Sequence, residues 1–186
     1  MFPCEIIHEN ISYKILDEKV DLSDFLCDES DHSGVNEFIH CEALDYQKDN
    51  LGVTYIFYYG DKIIAFVTIS MNGIDYNQAP DKEKIDYFEA KHPPVLYIGQ
   101  LGVHNEARNR GVGSSILDFC SGIGAILSKI IGVRYVALQC DKRVANFYKK
   151  NRFDTVSDSD KDIWFMVRRL EKVDIKARDV LKALKL

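Results

Sequence analysis

The segment Tyr97-Ile-Gly-Gln-Leu-Gly-Val-His-Asn-Glu-Ala-Arg-Asn-Arg-Gly-Val-Gly-Ser-Ser-Ile-Leu117 reads as a buried strand, a short loop and the start of a helix. The loop holds Arg108, Asn109, Arg110, Gly111, Val112 and Gly113. Amide N–H groups at a helix start have no partner within the helix, and the helix dipole adds partial positive charge there. Two glycines let an anionic group approach the backbone, and two arginines add full charge. A pyrophosphate suits such a cradle. A Walker loop would need Gly-Lys-Ser/Thr at this point, which is absent. A dinucleotide fingerprint would need a third glycine where Ile116 stands. A glycine-rich turn with solvated arginines accounts for the hexapeptide, taken alone, equally well.

Working outward, Val95 to Val103 is the strand and Val112 to Ile131 the helix. The apolar face of that helix runs through Val112, Ile116, Phe119, Ile123, Leu127 and Ile130. Gly122 and Gly124 each cost it about 1 kcal/mol relative to alanine, so they either permit close packing or mark an irregularity. Upstream, Glu5 to Lys14 reads as a strand, and Asp21 to Cys27 and Val35 to Tyr46 as helices, the latter with Ser33 as N-cap. Val53 to Tyr59 and Lys62 to Ser70 are rich in β-branched and aromatic residues, and Gly60-Asp61 between them predicts a tight hairpin. The pattern fades from Met71 to Pro94 except for a short helix over Lys82 to Ala90. Downstream follow a strand over Tyr135 to Gln139, a helix over Lys142 to Lys150 and a strand over Ile163 to Arg169. Asp174 to Lys185 is amphipathic through Ala177, Val180, Leu181 and Leu184. This order predicts an α/β (α+β mixed sheet) domain of about six to seven strands flanked by helices, spanning 1–170. Residues 171–186 are expected to form a C-terminal helix packed on or extending from it.

The chain has 186 residues, 46% hydrophobic and 28% charged, with a net charge of −5, all ordinary for one soluble domain. General acidity repels phosphate backbones at long range, which makes nucleic acid a non-default partner. The charge is uneven, because Arg168 to Leu186 carries seven basic residues against three acidic ones. A solvated helix face explains that run most simply. Five cysteines, Cys4, Cys27, Cys41, Cys120 and Cys140, are spread out and form no metal-type cluster. No metal site is expected, and a reducing cytoplasmic setting fits. The N-terminus lacks the blocks of a signal peptide. The most apolar run, Ser121 to Val133, is too short to span a bilayer, so no membrane role is expected.

Arg108-x-x-Gly111-x-Gly113 resembles the Q/R-x-x-G-x-G/A signature of the GNAT superfamily of N-acetyltransferases. Ala145-Asn-Phe-Tyr-Lys-Lys-Asn-Arg-Phe153 is similar to that family's later helix at the right separation. The resemblance implies the GNAT fold and acetyl-CoA as donor. It implies a splayed strand near Gln100, Leu101, Gly102 and Val103, where the amides of Leu101 and Val103 bind the thioester carbonyl and the pantetheine arm. It implies that amides and side chains of Arg108, Asn109, Arg110, Gly111, Val112, Gly113 and Ser114 hold the pyrophosphate. Tyr148 would give a proton to the departing thiolate. In isolation Tyr148 reads differently, since with Val144 and Phe147 it forms an apolar set at core spacing. The chemistry agrees with the implied roles: a fixed N–H at Leu101 is worth most where negative charge develops, and a phenol can assist a thiolate's exit. A neutral amine is also required, and Glu89, His92, His104 and Glu106 are candidate bases. The chain departs from the family pattern at Asp141, where Asn is usual, and at Arg152, where Gly is usual. Asn151 is expected to close the helix in glycine's place.

A narrower group, the acetyltransferase toxins that act on aminoacyl-tRNA, is similar in four places. These are His92-Pro-Pro-Val-Leu96, the Leu101-Gly-Val103 strand end, Ile131-Gly-Val-Arg134 and, less closely, Asp24-Phe-Leu26. The acidic balance from Asp75 to Lys91 suits a cationic amine or a peptide N-terminus better than RNA. The expectation is therefore transfer to a primary amine of a small molecule or protein. Aminoacyl-tRNA is the alternative, and nucleic acid is a partner only under it. A non-catalytic acetyl-CoA sensor is the second alternative, and a homodimer is left open.

Overall fold

The computed structural model describes residues 6, 8–28, 34–74, 92–157 and 162–170. Its elements are β1 (Ile11–Ile15), α1 (Val35–Cys41), α2 (Ala43–Lys48), β2 (Val53–Tyr59), β3 (Lys62–Gly73), β4 (Pro94–Val103), α3 (Val112–Leu127), β5 (Tyr135–Asp141), α4 (Ala145–Lys150), β6 (Asp154–Ser157) and β7 (Ile163–Arg169). The seven strands form a mixed sheet ordered β1-β2-β3-β4-β5-β7-β6, the α/β architecture expected of the chain. Ser33, the Lys82–Ala90 helix and the C-terminal segment after Leu170 lie outside the described residues.

By compactness the chain divides into two units, Met1–Ser70 with Ile98–Asp118 and Met71–Tyr97 with Phe119–Leu186. The first is organised by antiparallel pairing of β1 with β2 and of β2 with β3. Tyr59 pairs with Lys62 across the two-residue Gly60-Asp61 loop, and Gly60 takes φ +61°. Leu16, Phe25, Cys27, Phe38, Ile39, Ala43, Ile56 and Phe66 form its core. The buried Thr54 and Thr68 hydroxyls satisfy each other at 2.8 Å. In the second unit β7 pairs antiparallel with β5 and β6, over a core of Ile74, Val95, Tyr135, Ala137 and Val167.

Several expected elements differ, among them the strands from Lys62 and Tyr135, which run on to Gly73 and Asp141. The first strand is shorter, preceded by a 3-10 turn at His8–Asn10. Asp21 to Cys27 is not helical. Asp21 Oδ1 accepts from Ser23 N at 2.9 Å in a local turn, and the Cys27 amide, which a helix would direct to the carbonyl four residues back, donates instead to Asn36 Oδ1 at 3.1 Å. The Val35–Tyr46 helix is broken at Glu42 (φ −120°) into α1 and α2, and Gly34 at φ +70° occupies the first N-cap. The helix drawn from Lys142 starts at Ala145, because Asp141 Oδ1 accepts the Arg143 amide at 2.7 Å and holds a turn there. α3 stops at Leu127 rather than Ile131. One strand, β6, was not anticipated, being only four residues of mixed polarity.

Candidate active site

β4 ends on Leu101, Gly102 and Val103, of which Gly102 is fully buried and its neighbours half-buried. A Cβ on Gly102 would lie 2.5 Å from the Phe66 ring and 3.0 Å from Cys27 Sγ, so the strand end is packed too closely for any side chain there. His104 carries the chain off the strand, its amide donating to the Ile64 carbonyl at 2.8 Å. A 3-10 turn follows over Asn105–Ala107.

His104 caps that turn. Its Nδ1 accepts from the Glu106 amide at 3.1 Å, and its Nε2 lies 3.1 Å from the Asp24 carbonyl. A carbonyl only accepts, so Nε2 bears the proton and Nδ1 the committed lone pair. Both ring nitrogens of His104 therefore meet main-chain groups. Glu106 and His92 are exposed, and Glu89 lies outside the described residues.

The loop before α3 turns through two residues at positive φ, Asn109 (60°) and Gly111 (80°). Asparagine tolerates that conformation, and glycine adopts it without strain. The first helical bond of α3 runs from the Ser115 amide to the Gly111 carbonyl at 3.1 Å. The amides of Val112, Gly113 and Ser114 therefore precede the i→i−4 ladder and face away from it. Arg110, in the same loop, is half-buried, while Asn109 is exposed. Arg108 is used differently: its Nε donates to the Val103 carbonyl at 3.4 Å and its Nη2 to the Cys27 carbonyl. Neither bond is legible from residue types, since both acceptors are main-chain carbonyls, one of them 81 positions away.

Tyr148 stands in the other unit, on α4, half-buried. Desolvation pushes its phenol well above the ordinary tyrosine range, and the neighbouring Cys140 and Cys120 thiols push in the same direction. Burial likewise pushes Cys140 to about 11 and Cys120 to about 12. Tyr148 is thus held in its protonated form at neutral pH. Its ring meets Phe147 at 5.0 Å and Phe153 at 5.9 Å, both edge-on. Asp141 is paired with Arg143 (Oδ2 to Nη2, 2.8 Å), and that hydrogen bonding holds its carboxyl below the usual carboxylate range. Lys149 lies 4.5 Å from the Trp164 ring centre.

Residues 21–153 match the sequence profile described as the acetyltransferase (GNAT) family. No curated protein sequence matches the chain. Among solved structures, AtaT complexed with acetyl-methionyl-tRNAfMet superposes with a TM-score of 0.71 at 18% identity, over 83% of this chain and 93% of that one. A bacterial toxin superposes at 0.75 with 14% identity, over 94% and 95%. AtaTR bound with acetyl-CoA superposes at 0.70 with 18% identity, over 86% and 94%. At such identities the likeness is one of fold.

Proposed function

The chain belongs to the GNAT acetyltransferase family, and on that premise we propose that it transfers acetyl from acetyl-CoA to the amino group of an aminoacyl-tRNA. Acetyl-CoA, when bound, supplies an activated thioester. In this proposal the amides of Val112, Gly113 and Ser114, with Arg110 and the loop backbone from Arg108 to Gly111, hold the pyrophosphate. The amides of Leu101 and Val103 hold the carbonyl oxygen and the pantetheine arm, and Gly102 keeps that edge free of side chains. Fixed N–H groups act most strongly where negative charge builds up during attack. Tyr148 gives its proton to the leaving sulfur, a role suited to a phenol that stays protonated at neutral pH.

The observation that favours RNA over a small amine is local charge. Between Asp141 and Asp154 the chain carries Lys142, Arg143, Lys149, Lys150 and Arg152 against two carboxylates, and all five basic residues are exposed. That run brackets Tyr148 in sequence, on α4 and its flanking turns, and its excess of basic residues stands against a net charge of −5 for the whole chain. The structural neighbours, one of them solved with an acetylated tRNA, point the same way. The general acidity of the chain favours a second reading, a cationic small molecule or protein N-terminus as acceptor.

Incubating the protein with labelled acetyl-CoA and a cell extract, then separating RNA, protein and small molecules, decides between them. Label in the RNA fraction, falling steeply with added salt, is expected. Label confined to protein or small molecules would replace this reading with the second.

A further inference from the structure

Residues Asp24 to Cys27 form neither helix nor strand, yet each is tied down. The Asp24 carbonyl is met by His104 Nε2 at 3.1 Å, the Phe25 carbonyl by His40 Nε2 at 3.0 Å and the Leu26 carbonyl by the Asn105 amide at 2.9 Å. The Cys27 amide donates to Asn36 Oδ1 at 3.1 Å, and the Cys27 carbonyl accepts from Arg108 Nη2. Phe25 is buried, its ring edge-on to Phe66 at 5.9 Å and to His104 at 5.8 Å. Three of these ties come from His104, Asn105 and Arg108, the short run joining β4 to the cradle.

We infer that Arg108 is a positioning residue, which locks the 24–27 loop against the end of β4, and that it is not the charged ligand of the pyrophosphate. The inference rests on the acetyl-CoA reading of the cradle. A guanidinium grips a phosphate best along one edge, with two parallel N–H donors. Nε and Nη2 form such an edge, and here both donate to main-chain carbonyls, one at the end of β4 and one in the loop. The packing at Gly102 agrees: Cys27 Sγ would sit 3.0 Å from a Cβ there, so the loop is drawn close onto the strand residues assigned to the thioester. Arg108 thereby sets the distance between loop and strand, and with it the shape of the edge that Leu101 and Val103 present.

The test is calorimetric binding of acetyl-CoA over a salt series by the wild type, Arg108→Ala, Arg108→Gln and Gly111→Asp. Glutamine keeps a side-chain N–H donor for a carbonyl and discards the charge. A positioning role predicts that Arg108→Ala weakens binding by about tenfold or more, that Arg108→Gln recovers most of that loss, and that both keep the wild-type salt dependence. Equal loss in both variants with a flattened salt dependence would make Arg108 a phosphate ligand and overturn the inference; so would no loss in either. If Arg108→Ala does not fold, Arg108→Gln decides alone: near wild-type affinity and salt slope support positioning, and a large loss with a flatter slope refutes it. Gly111→Asp separates the two layers of the argument, because undiminished binding there would remove the cradle itself, whatever Arg108 does.

Discussion

The Phe153 amide donates to the Tyr148 carbonyl at 3.1 Å, and the Arg152 amide to the Lys149 carbonyl at 3.0 Å. With the Phe153 ring edge-on to Tyr148, these bonds close α4 in a Schellman motif. The motif needs one left-handed residue, and that residue is Arg152 at φ 65°; Asn151, expected in the role, stays at φ −94°. An arginine held there is strained by about 1–2 kcal/mol, partly offset in a glycine variant by glycine's greater unfolded-state freedom. Arg152→Gly is therefore expected to raise stability by roughly 0.5–1 kcal/mol in urea denaturation. Unchanged or lower stability would show that the left-handed position carries no strain.

The misplaced closure shows where sequence reading ends. Asn and Arg at 151 and 152 are both polar and both compatible with a helix end, and only the bond from Phe153 back to Tyr148 selects which one turns left-handed. The hairpin at Gly60-Asp61 was legible because both flanking runs are long and apolar and glycine sits in the turn. So was the cradle, because its glycines and arginines adjoin in sequence. The 24–27 loop was not, since Asn36, nine positions on, takes the Cys27 amide that a helix would have used. The partners of His104 are equally illegible, because nothing in the sequence shows that Asp24 and Glu106 meet its two nitrogens.

The two helix glycines of α3 should behave oppositely. A Cβ on Gly122 meets nothing within 4 Å, whereas one on Gly124 would come within 2.9 Å of a Leu170 methyl. Gly122→Ala is expected to stabilise the fold by about 1 kcal/mol through helix propensity alone. Gly124→Ala should gain less or lose outright, as Leu170 must move. Equal gains in thermal unfolding would remove the packing role assigned to Gly124.

At Gly102 no rotation relieves the clash, because the nearest atoms belong to the buried Phe66 ring and to Cys27. Gly102→Ala should cost about 1–3 kcal/mol by overpacking, measured as a lower urea midpoint. A neutral result would show the loop and strand to be free to separate.

Alkaline pH should weaken the fold. Burial raises Cys120 from 9.0 to about 12 and Cys140 from 9.0 to about 11, and pushes Tyr148 upward as well. The folded chain holds these protons more tightly than the unfolded chain. Stability is therefore intact below pH 9 and falls as pH climbs above it toward the folded values, with Cys120 alone contributing a slope approaching about 1.4 kcal/mol per pH unit. Denaturant titrations from pH 8 to 11 should show the decline, and Cys120→Ala should flatten it. A stability that does not change over that range would place these thiols in contact with water.

The most direct test of the proposed chemistry compares Tyr148→Phe with the wild type in two assays, acetyl-CoA affinity and turnover on the acceptor fraction that takes the label. If Tyr148 protonates the leaving thiolate, kcat falls by about a hundredfold or more while affinity for acetyl-CoA changes little. Turnover equal to wild type would contradict the account, leaving Tyr148 a packing residue of α4.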